Sequence, residues 1–133
     1  MKVKAVTQKI DDEFFKENLL DLAFSNNYEN IQIDEFYVVQ ALVFWKNIPF
    51  YYIYEYDDDD YPKPICYKYF EVVDDRLSKY WKVVVDKKLT GGFQSFLVFK
   101  EWAENLDIYE RLVDGDEHAL EIFKKYRNLL DVN

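Results

Sequence analysis

At 133 residues the chain suffices for one domain, and a composition that is half apolar and a fifth aromatic, with three glycines and three prolines, excludes a disordered polymer. A net charge of −9, from 17 basic and 26 acidic side chains, works against nucleic-acid backbones and anionic lipid surfaces and favours a basic protein partner. No apolar run, Ala41–Trp45 included, approaches the roughly 20 residues that span a bilayer.

From Asp11 the spacing predicts an amphipathic helix reaching Ser25, with Phe15, Leu19, Leu22 and Ala23 on one stripe and Asp11, Asp12 and Glu13 where the helix dipole favours anions. The run "FYVVQALVFW", Phe36 to Trp45, is apolar on both alternating faces and predicts one central strand, broken by "KNIP". Two further strands are expected at Phe50 to Tyr56 and at Ile65 to Val72. The connection between them holds four consecutive aspartates, and Pro62 and Pro64 make it an exposed loop because proline donates no ladder hydrogen bond.

Tyr80 to Val85 predicts the next strand, Gly91 and Gly92 a tight turn, and "FQSFLVF" the last strand. The period then lengthens. Trp102, Leu106, Tyr109, Leu112 and Val113 suit one or two short helices, and Asp114-x-x-Glu117 opens a final helix with Leu120, Phe123, Tyr126 or Arg127, and Leu130 on its stripe. The expected architecture is a single α+β domain over residues 1–133: a mainly antiparallel sheet of four to five strands, an N-terminal helix, and a helical C-terminus packed on the sheet.

Catalytic patterns are sparse. His118, the one histidine, sits among Asp114, Asp116 and Glu117 at a helix start. No GxSxG surrounds Ser25, Ser78 or Ser95, and "TGG" lacks the spacing that converges amides on phosphate. Counted from Asp57 or from Asp114, an EF-hand loop places Pro62 or Ala119 at the required glycine and fails, which leaves only a loose hard-ion site on Asp57 to Asp60 as an alternative. Asp75 with Asp86-Lys87-Lys88 matches loosely the acid…DxK spacing of metal-dependent nucleases, though a chain of net charge −9 repels that substrate. The reading is therefore non-enzymatic, with no catalytic residue and no cofactor. One cysteine, Cys66, and no apolar run after Met1 to Lys9 point to a reducing, cytoplasmic setting.

Charge is concentrated: residues 11–60 carry 13 acids against 2 bases, whereas residues 61–100 carry 4 against 8. The stretch "YEYDDDDY" places Glu55, Asp57, Asp58, Asp59 and Asp60 between Tyr54, Tyr56 and Tyr61. Carboxylates steer and pair with arginine or lysine, and tyrosine supplies apolar area plus a hydrogen bond at low entropic cost. These eight residues are the expected partner-binding set, in a monomer or weak dimer. The bland alternative is a solvated loop that keeps a tyrosine-rich protein in solution.

The compact acidic body, the "YEYDDDDY" surface and the closing "SFLVFKEWAENLDIYERLVDGDEHALEIFKKY" resemble in type the small acidic α+β immunity proteins with which bacteria neutralise a cognate toxin in the cytoplasm. That resemblance implies a non-enzymatic inhibitor that masks the active site or substrate channel of a basic toxin such as a nuclease. It carries no individual residue role. A DNA mimic, with carboxylates standing in for phosphates, is the rival binding class, and the basic central third argues against it.

Overall fold

The computed structural model describes residues 1–20, 23–86 and 93–132. Along these the chain forms β1 (Lys2–Ala5), α1 (Asp12–Glu17), β2 (Phe36–Val38), β3 (Ala41–Trp45), β4 (Ile48–Ile53), β5 (Lys63–Cys66), β6 (Phe70–Asp74), β7 (Trp81–Val85), β8 (Phe93–Phe99), α2 (Lys100–Glu104), α3 (Ile108–Val113) and α4 (Glu117–Asp131). The fold is α+β: a five-stranded antiparallel sheet ordered β5-β4-β3-β8-β7, a short N-terminal helix and a helical C-terminus, as expected, joined by a three-stranded sheet ordered β2-β1-β6.

Adjacent residues of β4 show the layering, because successive side chains of a strand point to opposite faces. Tyr52 meets Trp102 and Tyr109 edge-on at 4.9 and 5.0 Å, so α2 and α3 cover its face. Tyr51 meets Phe70 of β6 at 5.8 Å, so the smaller sheet covers the other. Phe99 stacks on Tyr126 at 4.1 Å and brings α4 onto the helical layer.

Two runs that read as single strands are each divided between the sheets. In "FYVVQALVFW", Val39 N donates to Met1 O at 3.0 Å and Gln40 N to Tyr52 O at 2.8 Å, so neighbouring residues bond to different sheets. Buried Gln40 is the crossing point, and its carbonyl accepts from Trp81 Nε1 at 3.0 Å. Likewise Ile65 to Val72 is β5, a 3₁₀ turn at Tyr67–Tyr69, and β6.

Other expectations are corrected locally. Helix α1 stops at Glu17, because Asn18 caps it with Nδ2 donating to Phe14 O at 2.8 Å and Leu19 takes φ +57°; Leu20, not Leu19, is buried, and Leu22 lies outside the described residues. Pro62 is buried, and Pro64 belongs to β5, an edge strand that tolerates a missing donor. Asp116 rather than Asp114 caps α4, accepting from His118 N and Ala119 N at 2.9 and 3.2 Å, while Gly115 at φ +93° ends the preceding turn. The Gly91-Gly92 turn also lies outside the described residues.

Candidate protein-interaction site

Strand β4 ends at Ile53, and the chain then turns through the aspartate run before entering β5, whose Lys63 pairs back with Ile53. The eight expected partner-binding residues therefore form one loop, but they divide by role. Asp57, Asp58 and Asp60 are exposed and make no ion pair among the described residues. Asp59 turns inward, its Oδ2 accepting from Glu55 N at 3.1 Å and Tyr56 N at 3.0 Å, the amides four and three residues before it.

Glu55 leaves the displayed set entirely. Its side chain has no exposed surface, and Lys63 Nζ lies 2.6 Å from Oε1. The contact is an ion pair rather than a well-aligned hydrogen bond, and neither carboxylate oxygen has another partner among the described residues. Glu55 in turn holds the Lys63 ammonium above its ordinary range. Burial, then the Glu55 charge, pushes the nearby Tyr28 hydroxyl up to about 12. Negative charge on Glu55 is thus used inside the fold, and sequence spacing could not separate it from its exposed neighbours.

Arg127 of α4 holds the loop from beneath. Its guanidinium lies 3.8 Å from the centre of the Tyr54 ring, with Nη1 donating to Asp57 O at 3.1 Å and Asp59 O at 3.4 Å and Nη2 to Tyr56 O at 3.4 Å. The guanidinium thus donates to backbone carbonyls and forms no ion pair with the neighbouring carboxylates among the described residues. On the far side, Tyr109 donates to Pro62 O at 2.7 Å and packs edge-on to Tyr61 at 6.3 Å. Burial drives the Tyr54 and Tyr109 hydroxyls well above their ordinary range, so both rings stay neutral supports. Tyr54 and Tyr61 are half-buried, and Tyr56, 50% exposed, is the tyrosine of the set most open to a partner. Its hydroxyl donates to Asn30 Oδ1 at 3.3 Å.

Beside the loop lies a cleft of about 460 Å³ between β2 and the C-terminal part of α4, with Phe36, Tyr37, Val38, Tyr56, Asp57 and Asp131 on its walls. Phe36 is 63% exposed there, and Glu35 adds another exposed carboxylate. Sequence reasoning assigned Phe36 to a buried central strand. The available signal was its place directly after Asp34 and Glu35, at the polar start of the run.

Cys66 is buried, and burial pushes its thiol up and away from reactivity; His118 is exposed in the first turn of α4. Asp75 lies in the connection entering β7 and Asp86 at its exit, while Lys87 and Lys88 fall outside the described residues. Among the described residues no group of three His, Cys, Asp or Glu side chains is arranged to hold a metal ion, Asp57 to Asp60 included. No described helix is long and apolar enough to cross a membrane. No protein-family model, curated protein or solved structure matches this chain.

Proposed function

We propose that this protein is a non-enzymatic binding protein that docks a basic protein partner through the 54–61 loop, in the manner of a bacterial immunity protein neutralising a cationic toxin. The observation that carries the reading is the display of Asp57, Asp58 and Asp60 outward, without ion-pair partners among the described residues, on a loop whose backbone is fixed by Arg127 and Asp59. Like charges at adjacent positions repel one another, and a loop held in that state from below is prepared for an opposite field. Such complementarity raises encounter rates to roughly 10⁸–10⁹ M⁻¹s⁻¹ at low salt. Half-exposed Tyr56 supplies an anchor that desolvates as the partner closes. Buried Cys66 and the absence of a second cysteine suit a reducing cytoplasm.

The test uses immobilised wild-type protein and the Asp57→Asn/Asp58→Asn/Asp60→Asn variant to capture partners from native cell lysate, followed by purification of the retained protein and measurement of its association rate at low and high salt. The expected partner is cationic, and its on-rate falls on the order of tenfold in the variant and in high salt. Equal on-rates for the two proteins at both salt concentrations would refute the proposal.

A further inference from the structure

Strand β2 is an edge of the smaller sheet, bonded to β1 on one side only among the described residues. Antiparallel ladders alternate: Ala5 N donates to Glu35 O and Val39 N to Met1 O, both at 3.0 Å, and Tyr37, two residues from each, faces β1 in the same way. The amides and carbonyls of Phe36 and Val38 therefore point away from β1. The cleft beside the acidic loop touches Phe36, Tyr37 and Val38 together. Consecutive strand residues point to opposite faces, so an opening that meets all three lies along the strand's edge rather than on either face. Across it stand Tyr56, Asp57 and Asp131, with Glu35 at its end.

We infer that this groove receives an extended, arginine- or lysine-bearing segment of the partner, which adds to β2 as a fourth strand of the smaller sheet. The inference rests on the proposed binding function and specifies its mode. Main-chain bonds to Phe36 and Val38 hold the segment, and its cationic side chains meet Glu35, Asp57 and Asp131 while its apolar positions cover exposed Phe36. Charge selects the occupant: the cation lining the groove, Arg127, already has its guanidinium on loop carbonyls and the Tyr54 ring, whereas the carboxylates of Glu35 and Asp57 have no ion-pair partner among the described residues. A three-residue edge is short, which keeps the free protein from pairing with itself along β2.

The probe is a capped nonapeptide alternating arginine and valine, compared with two versions N-methylated on alternate amides in opposite phases and with a glutamate-for-arginine version. Wild-type protein should bind the unmodified peptide and not the glutamate version. One methylated phase should bind at least tenfold more weakly than the other, since only one set of amides faces β2. Val38→Pro removes an outward N–H without breaking a bond to β1, and should weaken the unmodified peptide similarly while far-ultraviolet circular dichroism stays unchanged. Equal affinity for both methylated phases would overturn strand addition, and so would failure to bind the unmodified peptide. If binding ignores methylation and Val38→Pro but vanishes in the triple asparagine variant, strand addition is overturned and the acidic-loop function stands. If the peptide does not bind at all, the lysate capture still decides that function separately.

Discussion

Removing the Lys63 ammonium isolates the cost of the buried charge beneath the loop. Glu55 has a side chain with no exposed surface, and its counter-ion Lys63 is 37% exposed, so Lys63→Met leaves a carboxylate inside the protein with no cation. Breaking a fully buried pair costs about 3–5 kcal/mol. Solvent reaches the lysine end of this one and screens it, which brings the expected loss to about 2–3 kcal/mol. In a chain of this length each kcal/mol moves the thermal midpoint by roughly 3–5 °C, so the fall should be about 6–15 °C. The partner variant Lys63→Met/Glu55→Gln no longer buries a charge and should recover more than half of the loss. Urea unfolding followed by circular dichroism measures all three. The reasoning fails if Lys63→Met lies within about 0.5 kcal/mol of wild type, the range of ordinary surface changes, or if the double variant is as unstable as the single. The pH dependence has a definite sign. Because Glu55 raises the folded-state value of Lys63, the lysine's contribution is complete below its unfolded value of about 10.4 and is lost as pH rises through the raised one. The gap between wild type and Lys63→Met should thus be flat from neutrality to about pH 10 and narrow above it.

The four aspartates should not behave alike. Asp59→Ala strips acceptors from two amides of a partly buried turn and should cost roughly 1–2 kcal/mol, whereas asparagine at Asp57, Asp58 and Asp60 should leave urea stability unchanged or slightly raised through relieved repulsion. Arg127→Met keeps an apolar stem but loses the carbonyl contacts and the Tyr54 stack; it should cost about 1–2 kcal/mol and speed amide hydrogen exchange across residues 56–60. Unchanged exchange there would show that the loop holds itself. Burial raises the hydroxyls of Tyr52, Tyr54, Tyr69 and Tyr109, and that of Tyr28 to about 12, while an unfolded tyrosine ionises near 10. Stability should therefore fall from about pH 10 upward, with phenolate absorbance rising together with the loss of secondary structure.

Local signals carried much of the fold. β7, β8 and α4 stand where their periods place them, because each is one continuous run that keeps a single period from end to end. The acidic stretch is a loop, as its turn-forming residues and lack of period imply. β1 was legible too and passed over: Lys2-Val3-Lys4-Ala5 alternates polar and apolar, and Val3 and Ala5 are fully buried.

Tertiary structure decided the rest. Periodicity says that Phe36 to Trp45 is extended, but it cannot say that Val39 bonds to one sheet and Gln40 to another, since the choice of ladder lies with Met1 and Tyr52. Composition says that the 54–61 stretch is acidic. Which carboxylates are paired inside and which stay exposed is set by Lys63 and by Arg127, about seventy residues along the chain from the carbonyls it holds. A side chain's charge is written at its own position in the chain, whereas its neutralisation depends on groups brought near it only when the layers pack.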